Sequence, residues 1–548
     1  MNWLLVWILA SAVALPAAFS TRDKAAARHI TANTIAAHVR FLADDLLEGR
    51  APSSRGSELG MRYIGAQFER LGLVPAGDDG SWLQRFDIVG MKSEVTTPIT
   101  VAAGGKSLVI KPVVESVVSP GLQQPAMGVR DADVVFVGYG ITAPEQKWDD
   151  FKDVDVRGKV LIVMNNDPDW DPALFEGTTR LYYGRWDYKY AEAARHGAAG
   201  VIIIHTDHSA SYPWQVVQSS WTGEQFELPA TPEPRVTLKM WATEDACRRI
   251  AALGGKNLDE LRRSAEKRDF RPVALGVKLT AAVKVALTRS RTANVLGKLP
   301  GSDARLASEM VVVSAHHDHL GMREGKGDTI YNGAQDNASG VAAMLNVAEA
   351  MAALEPRPKR TILFAAVAAE ESGLLGSQYF CAHPIVPPGR IAADVNIDGI
   401  NIWGKTSDVA YVGLGKSTLD DVVGAVARAQ GRQLTGDDQP EKGGFYRSDQ
   451  FNFAKIGVPA LYLKAGVRHP GHDAQWGRDL KDKYNNERYH QPSDQIDETW
   501  NLDGAVEDVQ LATVTLLRIA DAPKMPEWHH GDEFEAARKH ALAGGGAR

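Results

Sequence analysis

Hydrophobic and polar positions fall along this chain in blocks that predict alternating helices and strands. Ile35, Val39, Leu42 and Leu46 recur at helical spacing, as do Met61, Ile64, Phe68 and Leu71, the second run stopping at Gly72. Residues 92–130 change to the two-residue period of strands. Short unbroken apolar runs follow at Val134–Val137, Val160–Met164 and Val201–Ile204, with a helical run Tyr190–His196, closed by Gly197, before the last of them. Strand, helix and strand with a glycine at the turn predict a small α/β unit over residues 131–240. Residues 241–290 read as a charged helix and a strand-like segment.

From Asn294 the same alternation predicts a larger α/β domain. Strands are expected at Met310–Ser314, Thr361–Val367, Ile391–Ile397, Val409–Val412 and Ala460–Leu463. Helices are expected at Gly373–Phe380, Leu419–Ala427 and Ala505–Ala520. Another, Ala338–Leu354, is expected to be amphipathic, with Val341, Leu345, Ala348 and Met351 on its buried face. From about Glu535 the chain turns Ala/Gly-rich and reads as a disordered tail.

Length and composition narrow the field. The 548 residues suffice for two to four domains of ~100–200 residues each. Net charge is −7 from 61 basic and 68 acidic residues, with no basic block, so nucleic acid is not an expected partner. Trp3–Ala18 carries no charged side chain and ends in small residues, which predicts a signal peptide over residues 1–20. The run is shorter than the ~20 apolar residues of a spanning helix. The expected setting is therefore exported, periplasmic or secreted, with membrane attachment only if the leader is uncleaved. Cys247 and Cys381 are the only cysteines, and their spacing leaves open whether they pair. They cannot make a thiolate zinc site, so any metal must be held by histidines and carboxylates.

Such residues cluster where strands are expected to end, the place where open α/β sheets put their sites. His316 and Asp318 follow Met310–Ser314 as His-x-Asp. Asp336 lies in Gly333-Ala334-Gln335-Asp336-Asn337-Ala338-Ser339-Gly340, before a helix. Glu370 and Glu371 follow Thr361–Val367, Asp398 follows Ile391–Ile397, and His490 lies in Tyr489-His490-Gln491-Pro492-Ser493-Asp494. Singly, each has a plain reading: a Glu-Glu pair on a solvated face, a structural histidine, an aspartate capping a helix. Five such segments in one domain point instead to a metal bound by nitrogen and carboxylate oxygen, as zinc accepts.

In this order the residues resemble the co-catalytic zinc exopeptidases, family twenty-eight of the metallopeptidases, which include bacterial leucyl aminopeptidases, aminopeptidase Y and glutamate carboxypeptidase II. His-x-Asp, Asp-Asn-x-x-Gly, Glu-Glu, Asp and a late Tyr-His are all present, and the resemblance covers about residues 31–525. It implies a three-layer zinc-exopeptidase domain of phosphorylase/hydrolase-like fold with a mixed central sheet. That domain would comprise residues 31–130, opening with Phe41-Leu42-Ala43-Asp44-Asp45 to Gly49-Arg50, and residues 286–525, leaving a tail at 526–548. Residues 131–285 would be an inserted small α/β protease-associated domain and connector, on the likeness of the run Tyr190 to Val201.

The resemblance also implies two Zn2+ per chain. Asp336 would bridge them, His316 and Asp398 would complete one site, and Glu371 and His490 the other. Glu370 would be the general base, Asp318 would orient His316, and Tyr489 would hydrogen-bond the oxyanion. Peptides would be the substrates, with removal of N-terminal residues the expected reaction. A carboxypeptidase, dipeptidase or amide hydrolase could use the same centre. The pocket decides between these, by offering anions to an amine or cations to a carboxylate, and Arg447 is a visible cation in the relevant stretch. A metal-free, receptor-like binding module would need gaps in the ligand set, and none is visible. His317 and His319 are set aside, because the family's ligand is the first histidine. Ser448 and Asp449 match a segment near the substrate pocket in which a histidine often follows; Gln450 stands there instead. Tyr182, Tyr183, Trp186, Tyr188 and Tyr190 shape either a substrate mouth or a domain seam.

Overall fold

In a computed structural model that describes residues 18–544, the apolar runs become the strands of one large mixed sheet. Its principal strands are β1 (Leu83–Ala103), β2 (Ser116–Pro120), β3 (Ala126–Phe136), β4 (Val160–Met164), β5 (Gly200–His205), β6 (Leu238–Thr243) and β7 (Val273–Leu299). They continue with β8 (Met310–His316), β9 (Thr361–Val367), β10 (Ile391–Asn396), β11 (Asp408–Tyr411), β12 (Gln433–Thr435) and β13 (Ala460–Ala465). The spatial order is β12-β11-β13-β10-β8-β9-β7-β3-β4-β5-β6-β2, with β1 paired along β7.

The strands that carry the site are β9, β8 and β10, mutually parallel with β8 in the middle. Both faces of β8 are buried. Val311, Val313 and Ala315 pack with the helices Ser339–Ala352 and Asp503–Asp521, while Met310 and Val312 pack with Phe380 and Phe453 on the other side. Burial on both faces explains why these strands read as unbroken apolar runs rather than alternating ones. It also makes three layers, as expected. The helix Ser339–Ala352 differs from its expected one-sided pattern. It is buried at nearly every position, because it lies between the sheet and the helices Ala32–Leu42 and Asp503–Asp521.

Within residues 131–240, read as a small α/β unit, the apolar runs become β4 and β5 with the helix Trp186–Arg195 between them. Val135, Leu161 and Ile203 pack on the helix Trp186–Arg195, and Ile162, Ile202 and Met240 face Cys247 and Ile250. This unit is not a separate sheet. β7 runs antiparallel to β1 and β3, then pairs with β9 through Val295–Leu299, so one strand carries hydrogen bonding from one unit into the other. Tyr182 packs beside Phe451 and Tyr446, with tilted rings whose centroids are 5.0 and 6.4 Å away, so this member of the aromatic cluster lies at a seam.

The tail is ordered as far as Gly544, where a disordered segment was expected: Glu535–Gly544 is a helix, anchored by buried Arg538, which donates to Ile391 O at 2.8 Å. Its Ala/Gly-rich composition concealed this one buried cation. The leader falls, except for residues 18–20, outside the described residues; Ser20 caps the helix Thr21–Ala27. Cys247 and Cys381 are both free and buried. Among the described residues no helix is long and apolar enough to cross a membrane.

Candidate metal centre

Each site residue leaves the sheet just past a strand's carboxyl end. His316 is the last residue of β8; Glu370 and Glu371 follow β9, and Asp398 follows β10. Asp336 sits in the turn that starts the helix Ser339–Ala352, and His490 follows the helix Ala474–Glu487. That turn needs a glycine. Gly333 has φ 58°, and a Cβ on it would lie 2.3 Å from Asp336 O and 2.5 Å from the His319 ring. Ala369 and His490, both with φ 56°, hold left-handed backbone beside the ligand positions, a strain typical of functional sites.

The side chains converge on Asp336. His316 Nε2 lies 3.2 Å from Asp336 Oδ1 and 3.5 Å from Asp398 Oδ1. His490 Nε2 lies 3.2 Å from Asp336 Oδ2 and 3.0 Å from Glu371 Oε2. His319, set aside on sequence, comes to the same place, with Nδ1 2.6 Å from Glu371 Oε1. Thus Asp336 is shared by two donor groups, one with His316 and Asp398 and one with His319 and Glu371. His317 points elsewhere, its Nε2 3.1 Å from Ala293 O.

Surrounding groups hold this arrangement, and several had no signal in the sequence. Asp318 accepts the backbone N–H of Glu370 at 3.1 Å and of Glu371 at 3.4 Å, so its carboxylate clamps the Glu-Glu turn. It lies 3.7 Å from His316 Nδ1, which is nearer the Asp318 carbonyl at 3.3 Å. Asp494 accepts the backbone N–H groups of Gln335 and Asp336, each at 3.1 Å, and fixes the turn that carries Asp336. Arg50 spends its buried guanidinium on the carbonyls of Leu42, His317, Asn332 and Gly333. Gln450, where a histidine was looked for, accepts from Asn396 Nδ2 at 2.6 Å beneath the site. Tyr489 stacks on His490, with centroids 3.9 Å apart.

Ser220, 270 residues from His490 in sequence, shares a hydrogen bond of 2.9 Å with its Nδ1. The helix Trp214–Ser220 therefore orients a side chain of the centre. Removing a polar partner of this kind typically costs ~10–100-fold in metal affinity. Ser220→Ala is expected to weaken zinc binding by about that factor, read by competition with a chromogenic chelator; unchanged affinity would show that Ser220 does not position His490.

The electrostatics fit cations. His316 Nε2, His490 Nε2 and Glu371 Oε1 are buried without hydrogen-bond partners, although they crowd together. Burial would lower both histidines, but Glu371 and Asp336 outweigh it and push His490 up to about 10, while Glu370, with Asp318, Asp336 and Asp398, holds His316 well above its usual value. Burial pushes Glu370 well above the carboxylate range, with Glu371, Asp398 and Asp449 adding to it. Asp336 stays well below that range, because hydrogen bonds from His316 and His490 overcome its burial. Buried nitrogen and carboxylate donors without hydrogen-bond partners are what a zinc-like cation takes.

Two cavities open onto the centre and share Glu370, Tyr489, Tyr212 and Arg447. One presents Asp398, Asp437, Trp403 and Ile400. The other is lined by Arg185, Trp186 and Trp221.

Comparison with known proteins agrees with this geometry. Residues 294–514 match the model of Peptidase family M28. A stretch of 140 residues is 35% identical to a vacuolar membrane protease of Clavispora lusitaniae, covering 26% of this chain and 12% of that protein. A namesake from Candida dubliniensis is 33% identical over 112 residues, covering 20% of this chain and 11% of that one. The chain thus spans about an eighth of the length of these relatives. Among solved structures, an aminopeptidase from Aneurinibacillus sp. strain AM-1 shares the fold. It superposes with TM-score 0.52 at 20% identity, over 92% of this chain and 97% of that one. The relatives overturn one expectation. Their name places them at a vacuolar membrane, so the exported, periplasmic or secreted setting is withdrawn. It rested on the uncharged run Trp3–Ala18, and low charge alone does not distinguish one membrane-directed address from another.

Proposed function

We infer, from the Peptidase family M28 domain over residues 294–514, that this chain is a di-zinc exopeptidase that removes N-terminal residues from peptides. The carrying observation is that Asp336 is shared between two His/carboxylate groups. His316, Asp336 and Asp398 would hold one zinc; Asp336, Glu371 and His490 would hold the other, with His319 beside it. When bound, the pair would polarise the scissile carbonyl and acidify a water.

The remaining chemistry belongs to the chain. Glu370 takes the proton of the attacking water and gives it to the leaving amine, a role favoured by its raised proton affinity. Asp318 holds the turn that aims Glu370. Tyr489, at the junction of both cavities, donates its hydroxyl to the developing oxyanion. The free amine of the substrate meets Asp437 in the first cavity. Residues 131–285 are assigned as a protease-associated insertion, a reading supported by the helix Trp186–Arg195 running into β5.

The test is a comparison of leucine p-nitroanilide with its N-acetyl form on zinc-loaded protein. Cleavage of the free amine alone is expected; equal cleavage of both, or of C-terminal substrates only, would refute the aminopeptidase reading.

Metal binding should also depend on pH. His490 and His316 carry protons in the cation-free site, since both are raised, and zinc must displace them. Affinity is therefore expected to fall as pH falls below about 10, the value to which His490 is raised. Each displaced proton contributes about tenfold per pH unit. A chelator-competition series from pH 6 to 8 measures the slope, and a flat profile would contradict this account of the histidines.

A further inference from the structure

His319 brings to the centre a ring that makes no hydrogen bond. It is fully buried, and neither ring nitrogen has a partner. Yet its Nδ1 lies 2.6 Å from Glu371 Oε1, which is itself buried and unpartnered. That separation is short enough for a hydrogen bond, so what is missing is alignment. Two ligating atoms that crowd without bonding each other are directed at a common third point, which is how the ligands of one cation stand.

The position is built into the fold. The ring fills space that only a glycine leaves: a Cβ on Gly333 would lie 2.5 and 2.6 Å from His319 Cγ and Cδ2. The His319 backbone N–H donates to Arg50 O at 3.3 Å. Glu371 turns Oε1 to His319 and Oε2 to His490 Nε2, 3.0 Å away, and the two imidazoles meet edge to face with centroids 5.6 Å apart. A His319 nitrogen also stands within 4.8 Å of an Asp336 oxygen. The two halves of the centre are therefore unequal. His316, Asp336 and Asp398 give one nitrogen and two carboxylates. His319, His490, Asp336 and Glu371 give two nitrogens and two carboxylates. Three protein ligands leave a zinc position open, whereas four close it.

We propose that His319 is a further ligand of the zinc held by Glu371 and His490, which makes that position the closed and tighter one and leaves the opening to the position held by His316 and Asp398. This rests on the di-zinc exopeptidase reading above. Loading is then sequential: the first equivalent of zinc goes to the position with more protein ligands, and the second completes the pair.

Zinc K-edge absorption spectroscopy counts the imidazoles directly. It is made on chelator-stripped full chain reloaded with one and then two equivalents. With one equivalent, two imidazoles on the zinc are expected, from His319 and His490. With two equivalents, three imidazoles over the pair are expected, His316 being the third. One imidazole per zinc at both loadings would overturn the assignment of His319. Competition with a chromogenic chelator reads the same point as affinity. His319→Ala is expected to weaken the tighter of two zinc affinities by at least the ~10–100-fold that loss of a mere orienting partner costs, and to leave the weaker unchanged. A tighter affinity that survives the substitution would also overturn the assignment. The absorption measurement needs no substitution, so it decides the matter whether or not His319→Ala folds. Failure of the exopeptidase reading looks different: leucine p-nitroanilide would stay uncleaved at two equivalents, whatever the imidazole count.

Discussion

Glu370→Gln is expected to lower kcat by about a hundred- to ten-thousandfold, the range in which a positioned general base contributes, while zinc uptake stays intact. The side chain keeps its size but loses its proton affinity. The backbone N–H of residue 370 still binds Asp318, so the turn and the neighbouring ligand Glu371 stay in place. The close contacts of the centre join His316 to Asp336 and Asp398, and His490 to Asp336 and Glu371, and Glu370 makes none of them. Loss of rate with retained metal therefore separates a base from a ligand. Rate measurement and metal content on the same sample check it, and a fully active variant would remove Glu370 from the mechanism.

Asp336→Ala is expected to lose both zinc and turnover. Asp336 is the one side chain common to the two donor groups, so its removal deprives both at once. The site would then keep His316, His319 and His490 among Asp398, Glu370 and Glu371 with no shared oxygen to hold two cations together. The turn itself is secured through the backbone by Asp494, so the fold around it should survive. Elemental analysis after dialysis, with circular dichroism as the folding check, reads the outcome. Retention of full metal content would show that Asp336 is not the shared ligand.

The sheet was legible where strands are buried on both faces. Thr361–Val367 and Val160–Met164 appear in the structure with the ends expected from their apolar runs. Ligand positions followed from those ends, since a polar residue directly after a buried strand stands at the mouth of the sheet. Other features were hidden for physical reasons. The length of β7 was obscured because its alternation breaks into a largely exposed stretch over 286–291 and then a fully buried run where it enters the second core. Ser220 reaches His490 across 270 residues of sequence, a contact made only by the tertiary fold. His319 was discounted by analogy, although the turn held by Gly333 brings its ring against the centre. The tail helix depends on one buried arginine that composition does not reveal.

The central claim is that two zinc ions on Asp336 make this chain an exopeptidase. It is tested most directly by titrating chelator-stripped protein with zinc while following hydrolysis of leucine p-nitroanilide. The account predicts negligible activity in the stripped protein and a plateau at two equivalents of zinc per chain. Full activity without zinc, or none at saturating zinc, would contradict it.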